Sequence, residues 1–160
     1  WELRLVCARG AVVGLIHDII IPIGVLSLLD IEVDLIIIAA ILTIIGYSLN
    51  DTIIVFDRIR ENQHAKKYPS FTETINRSIN QTLSRTILTS TTTVLVVITL
   101  FFLGGSIIHN FSLTLLVGIV VGTYSSIFVS SPILLVFGEP AEPKKKETAV
   151  IVRDEHGAVV

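Results

Sequence analysis

Two carboxylates lie inside apolar stretches of the sequence. Asp51, which follows Asn50, interrupts an apolar run that begins at Leu35, and Asp18, which follows His17, interrupts an earlier run. A charged side chain near the middle of a membrane helix costs about 2.5 to 3.5 kcal/mol, so it faces protein or water and commonly has a function. Both acids are therefore candidates for chemistry in which a proton is gained and lost, with Asn50 and His17 as supporting polar residues.

A basic residue lies immediately before the third apolar stretch. Arg85 precedes it, and Thr89 follows one turn later on the same helical face. A carboxylate such as Asp51 whose charge state changes as its pairing with an arginine forms and breaks is a workable proton carrier. Structural alternatives stay open: a permanent Asp51–Arg85 ion pair, an Asp18 held in place by His17, and threonine hydroxyls bonded to their own backbone.

The composition indicates that these residues belong to a membrane protein. The chain has 51% hydrophobic residues, 16% charged residues and a mean hydropathy of +0.77. Four apolar segments, 11–29, 35–56, 86–103 and 113–137, each reach about the 18 to 20 residues that a helix needs to cross a bilayer. Backbone polar groups must be satisfied within each segment, which requires helices. We expect an all-α integral membrane protein built as a four-transmembrane-helix bundle.

The distribution of Lys and Arg predicts the orientation of this bundle. All 12 basic residues lie near the N-terminus, between the second and third segments, or in the C-terminal tail, and none lies in the connections 30–34 and 104–110. Basic residues favour the cytoplasmic side. Both chain ends and the 57–85 loop are therefore predicted to be cytoplasmic, with Asp18 and Asp51 at similar depths in the membrane.

The central loop contains the pattern of an amphipathic helix. Ser70 and Glu73 have capping-box spacing, and Phe71, Ile75 and Ile79 recur every fourth residue among polar ones. This pattern predicts a short amphipathic helix at the cytoplasmic surface between spans 2 and 3.

The C-terminal tail, 138–160, has a different composition from the rest of the chain. It is rich in proline and charge and includes three consecutive lysines at 144–146. Such a segment cannot build a core, so we expect a disordered cytoplasmic tail whose lysines lie near anionic lipid.

Small residues in the last apolar segment indicate helix packing. Gly118, Gly122, Ser126 and Ser130 recur every fourth residue along one stripe. Stripes of this kind let two membrane helices approach closely, so these four residues are predicted to be packing contacts. The single Cys7 gives no disulfide framework, and no pattern in the sequence predicts a metal site.

The run GYSLNDTIIVFDRIREN, residues 46–62, is longer than a short motif. It resembles the signature of SecF-type members of the SecD/SecF family of protein-export membrane proteins, within the resistance-nodulation-division superfamily. The resemblance continues in His17-Asp18, Arg85-Thr86 and Gly104-Gly105. It implies that residues 1–137 are only the C-terminal membrane part of a longer protein, preceded by one span, an extracytoplasmic domain and a second span.

The resemblance also implies a function. Proteins of this type work with SecD to couple the proton-motive force to late, ATP-independent steps of preprotein translocation through SecYEG, in the bacterial inner membrane. YajC and YidC are further implied partners, membrane lipid surrounds the subunit, and no nucleic acid is involved. Protons are the coupling ion and no cofactor is expected. By motif, Asp51 and Arg85 correspond to the proton-responsive pair, and Asp18 to the acid of the HD motif.

Other functions remain to be weighed. An intramembrane aspartyl protease also needs two acids, but neither acid here follows a Gly-x-Gly sequence, and a nearby arginine would disturb a shared-proton dyad. No phosphate-binding Gly-x-x-x-x-Gly-Lys sequence is present, so the energy source is expected to be the membrane gradient. We therefore expect a translocation subunit and not an enzyme. Another proton-coupled exporter of the same superfamily, or a purely structural subunit whose acids tolerate Asn, stays open.

Overall fold

The computed structural model describes residues 2–137, and this part of the chain is all α-helical. The elements are α1 (Glu2–Leu28), α2 (Leu35–His64), α3 (Phe71–Leu103), α4 (Gly105–Ser125), a π-helical segment (Ser126–Ser130) and α5 (Ser131–Val136). The last three run end to end. By length and composition, four helices can cross a membrane: 5–28 within α1, all of α2, all of α3, and Gly105–Val136. The predicted all-α fold with four long apolar helices is confirmed, and it is compatible with a multi-pass membrane protein.

The helices extend beyond the apolar segments that predicted them. α1 begins at Glu2 and not at residue 11, and α2 continues to His64. Hydropathy identifies only the part of a helix that is apolar enough for hydrocarbon, whereas the backbone hydrogen bonds continue into polar sequence until a breaker is met. At the start of α2 that boundary is a cap, because the Asp34 side chain accepts a hydrogen bond of 2.8 Å from the Ile37 amide.

The predicted short amphipathic helix between spans 2 and 3 was wrong as a separate element. Residues 71–85 are helical, but they form the first half of the uninterrupted helix α3, which ends at Leu103. The sequence of α3 contains neither Pro nor Gly, so nothing ends the helix between its polar half and its apolar half. The predicted cap is present, since the Ser70 hydroxyl accepts a 3.2 Å hydrogen bond from the Glu73 amide.

The predicted connection at 104–110 was also wrong, because only Gly104 separates α3 from α4. Gly105 has a φ of +75°, a conformation that glycine adopts without strain, and this allows the immediate reversal. The polar residues that follow do not break the helix, because hydroxyls there bond their own backbone. Ser112, for example, donates to the Ile108 carbonyl at 2.8 Å.

Two apolar clusters hold the helices together at different levels. The first joins α1, α2, α3 and α5 through Cys7, Val55, Phe56, Ile59, Phe71, Ile75 and Leu134. The second joins α2, α3 and α4 through Ala40, Ile44, Val97, Leu115 and Ile119. Between these levels the buried side chains are mostly polar, and many large apolar side chains face outward, as expected for a lipid-exposed surface. The predicted tail at 138–160 lies outside the described residues.

Candidate functional site

Asp51 is buried in the polar layer between the two apolar clusters. Its side chain is 2% exposed, and its Oδ2 atom has no hydrogen-bond partner among the described residues. Buried polar atoms are nearly always paired, and a buried carboxylate without a partner is energetically unfavourable. An acid kept in this position by the fold can gain or lose a proton as its surroundings change.

Asp18 lies in the same layer and is held by two side chains. It is 1% exposed, the Ser48 hydroxyl donates to its Oδ2, and His17 Nδ1 lies 3.0 Å from its Oδ1. Ser48 precedes Asp51 by three residues on α2, so the two acids lie within about one helical turn of each other. Pro22, four residues after Asp18, has no amide hydrogen to donate to the Asp18 carbonyl.

Gly122 allows α4 to approach this pair of side chains. A Cβ atom at Gly122 would lie 3.2 Å from Ser48 Cβ and 3.7 Å from Asp18 Oδ2. One turn earlier, a Cβ atom at Gly118 would overlap the side chain of Ile44, which is 1% exposed. The glycines of the predicted packing stripe therefore lie where α4 meets α2.

We predict that Gly118→Ala destabilises the bundle by about 1 to 3 kcal/mol, because the added methyl group overpacks a site that has no space for it. Thermal unfolding of the purified protein in detergent measures the loss. Ile44→Ala should restore part of the stability of Gly118→Ala. Gly46→Ala is the matched control, since a Cβ atom there has no neighbour within 4 Å. Equal losses for both glycine variants would contradict the packing role of Gly118.

The two serines of the stripe occupy the π-helical segment, which packs against α1. Ser126 donates to the Thr123 carbonyl at 2.9 Å, and Ser130 lies against Gly14, where a Cβ atom would collide with the serine Oγ. Pro132 follows the segment, and its ring is incompatible with an α-helical hydrogen bond to the carbonyl four residues earlier. A widened π turn just before Pro132 accommodates the missing α-helical hydrogen bond.

Three of the predicted polar site residues lie outside the buried layer. Asn50, Arg85 and Thr89 are all exposed in this chain. The Thr89 hydroxyl bonds the carbonyls of Arg85 and Thr86, at 3.0 Å each, which is the backbone-bonded alternative given above. Among the described residues, no carboxylate lies within ion-pair distance of Arg85. A permanent Asp51–Arg85 pair is therefore not formed within this part of the chain.

Several polar residues of the layer were not among the predicted site residues. Tyr47 donates to Ser90 Oγ at 3.4 Å, and Ser90 Oγ lies 2.8 Å from Thr123 Oγ1, which connects α2, α3 and α4. Ser48 could have been found, because a residue three positions before a buried acid shares its helix face. Single hydroxyls such as Ser90 give no such signal in a threonine-rich helix.

A second polar network joins α2 and α3 beside the first apolar cluster. Asn62 is buried and donates to Ser78 Oγ at 2.8 Å and to Gln81 Oε1 at 3.0 Å. Arg58 donates to Gln81 at 2.6 Å and pairs with Glu61 at 2.6 Å. This network fixes the start of α3 against α2 and so sets the register of the two helices at Asp51. Among residues 2–137, no cluster of three or more metal-binding side chains occurs.

Comparisons with known proteins identify the family of this chain. The model of the family "Protein export membrane protein SecD/SecF, C-terminal" matches residues 2–140. The protein translocase subunit SecF of Desulfurispirillum indicum is 55% identical over 152 residues, which is 92% of this chain and 48% of that protein. SecF of Vibrio alginolyticus is 59% identical over 138 residues, 86% of this chain and 43% of that protein. The chain thus spans less than half the length of these relatives.

A solved structure shows the same fold. A crystal structure of SecDF in a super-membrane-facing form matches with a TM-score of 0.79 and 49% sequence identity, over 82% of this chain and 18% of the SecDF chain. The four-helix arrangement around Asp18 and Asp51 is thus similar to one part of a much longer protein. Because the family model covers all of the described residues, the chain belongs to the SecD/SecF C-terminal family of protein export membrane proteins.

Proposed function

We propose that this chain is the C-terminal membrane part of a SecF-type subunit that works with SecD to couple the proton-motive force to late, ATP-independent steps of preprotein translocation through SecYEG. The observation that carries the proposal is the carboxylate of Asp51, which is buried within a membrane-spanning helix with one oxygen unpaired. Its relatives are named protein translocase subunits, so the site belongs to a family whose members act in protein export.

The position of Arg85 supports a partner in the membrane. Arg85 is exposed at the start of the apolar half of α3, and no carboxylate of the described residues lies within ion-pair distance of it. A cation at this depth is stabilised by water, by lipid headgroups or by a carboxylate from another protein. We propose that SecD covers this surface and supplies such an acid. Asp51, buried on α2, and Arg85, exposed on α3, would then both act on the proton. The similarity to a SecDF structure supports SecD as the partner.

The proposal includes a location and an orientation. We propose that the subunit lies in the bacterial inner membrane, with both ends of this chain and the polar region 57–85 in the cytoplasm. All 12 basic residues stand near the N-terminus, in that region or in the C-terminal tail of the sequence, and basic residues favour the cytoplasmic side. YajC and YidC are proposed as further associated proteins. Protons are the proposed coupling ion, and Asp18 is proposed as a second acid on the proton path, adjacent to Asp51 through Ser48.

Export assays in inverted membrane vesicles test this function. Vesicles that contain SecYEG, SecD and the full-length protein carrying this chain should complete the export of a partly translocated reporter after ATP is removed, as long as a proton gradient is present. Collapse of the gradient with a protonophore, or omission of the subunit, should stop this late phase. Continued export in vesicles without the subunit would overturn the proposal.

A further inference from the structure

Four buried oxygen atoms in the bundle have no hydrogen-bond partner among the described residues. They are Asp51 Oδ2, Thr86 Oγ1, Ser125 Oγ and Ser130 Oγ. The four side chains come from three of the long helices and the π-helical segment, and each residue is at most 2% exposed. Unpaired buried polar atoms are rare in native proteins, and a bound water or ion is a common explanation for those that occur.

The hydroxyls of Thr86 and Ser125 differ from other buried hydroxyls on the same helices. Thr82, one turn before Thr86 on α3, donates to the Ser78 carbonyl at 3.1 Å. Ser112 on α4 donates to two carbonyls of its own helix, at 2.8 and 2.9 Å. Backbone bonding of this kind is the ordinary state of Ser and Thr in membrane helices. Thr86 and Ser125 make no such bond, so their hydroxyls remain available to another group.

Helix register places Ser125 level with Asp51. α2 and α4 run in the same direction, because Gly118 meets Ile44 and, one turn later, Gly122 meets Ser48. Three residues beyond Ser48 is Asp51, and three residues beyond Gly122 is Ser125. The two unpaired side chains therefore lie at the same level on neighbouring helices.

The register of the antiparallel helix α3 places Thr86 at that level too. Tyr47 on α2 bonds Ser90 on α3. Asp51 is four residues after Tyr47, and Thr86 is four residues before Ser90, so one turn along the antiparallel pair brings these two side chains to the same height. α1 closes the layer, because a Cβ atom at Gly14 would lie 3.7 Å from Ser125 Oγ.

We infer that Asp51, Thr86 and Ser125 together bind an internal water molecule. The water donates a hydrogen bond to Asp51 Oδ2 and accepts hydrogen bonds from the hydroxyls of Thr86 and Ser125. Buried waters typically make about three hydrogen bonds to otherwise unpaired groups, which is the number that this layer supplies. Thr86 and Ser125 are thus positioning residues that keep Asp51 hydrated inside the membrane. This role in proton coupling deepens the proposed function and rests on it.

Infrared difference spectroscopy of the full-length protein in complex with SecD tests this inference. The carboxyl band of Asp51 is identified by its loss in Asp51→Asn. Thr86→Val and Ser125→Ala each remove one hydroxyl with little change in volume. Both should shift the Asp51 band to the frequency of a less hydrogen-bonded carboxyl group, and Thr86→Ser, which keeps the hydroxyl, should leave the band at its wild-type position.

Matched controls come from the same two helices. Thr82→Val and Ser112→Ala also remove buried hydroxyls, but those hydroxyls bond their own backbone, so the Asp51 band should not move. An Asp51 band that is unchanged in Thr86→Val and Ser125→Ala, or that shifts equally in the controls, would overturn the inference. A band that responds to exchange of Na+ for K+ at constant pH would identify a bound cation and would also overturn the assignment of water.

The spectroscopic readout separates this inference from the proposed function. A shifted band in Thr86→Val and Ser125→Ala, together with export that does not depend on Asp51, leaves the water site in place and removes the proposed function. An unchanged band with export that depends on Asp51 removes the water site alone.

Discussion

Asp51→Asn in the full-length protein should reduce late, gradient-driven export to the level measured after the gradient is collapsed, while assembly with SecD is retained. The amide is nearly the same size as the carboxyl group and cannot take up and release a proton in the physiological range. Moving one charge through 100 mV provides about 2.3 kcal/mol, and this contribution is lost when the carrier cannot bind the proton. Export of a reporter in inverted vesicles, at equal membrane insertion and equal SecD recovery, measures the effect.

Asp30→Asn is the matched control for this substitution. The substitution makes the same chemical change at Asp30, which lies in an exposed turn between α1 and α2, outside the polar layer. Its φ is 54°, a left-handed conformation that Asn adopts as readily as Asp, so the turn should be preserved. Export should be unaffected. If Asp30→Asn were as damaging as Asp51→Asn, or if Asp51→Asn exported normally, Asp51 would be a structural residue and not a proton carrier.

The architecture of the bundle was predictable because it depends on features that are local in the sequence. Long apolar blocks identify the four membrane-spanning helices, and the Ser70 cap at the start of α3 follows from the residue types at fixed spacing. The separate amphipathic helix was not predicted correctly, because a change from polar to apolar sequence alters the surroundings of a helix without ending it. Only a breaker such as Gly104, after Leu103, stops α3.

The residues that make up the buried polar layer, in contrast, depend on how each helix is rotated about its own axis. Successive residues differ by about 100° around a helix, so Asn50 and Arg85 turn outward when Asp51 and Thr86 turn inward. The outward position of Asn50 and Arg85 could be predicted from the sequence once one buried residue of each helix was known. The hydrogen bond between Ser48 and Asp18 could not be predicted in this way. It depends on the rotation of α1 relative to α2, which is determined by contacts between residues far apart in the chain.

Arg85→Ala should abolish gradient-driven export without destabilising this part of the protein. The side chain is exposed and forms no ion pair within the described residues, and exposed substitutions of this kind usually change the free energy of unfolding by less than about 0.5 kcal/mol. Export should nevertheless fall to the level of Asp51→Asn, because we propose that Arg85 acts on the proton together with an acid from SecD. Thermal unfolding in detergent and vesicle export are measured on the same preparation.

Arg77→Ala is the control that separates a functional cation from a general effect of charge. Arg77 is also exposed on α3, and its guanidinium lies 3.7 Å from Glu73 near the start of the helix, two turns away from the buried layer. Loss of this surface pair should change neither stability nor export appreciably. If Arg85→Ala lowered the unfolding temperature in proportion to its loss of export, Arg85 would stabilise the bundle and would have no separate role on the proton path. Unchanged unfolding with lost export would instead make Arg85 a part of the coupling machinery that acts across the surface that we propose SecD covers.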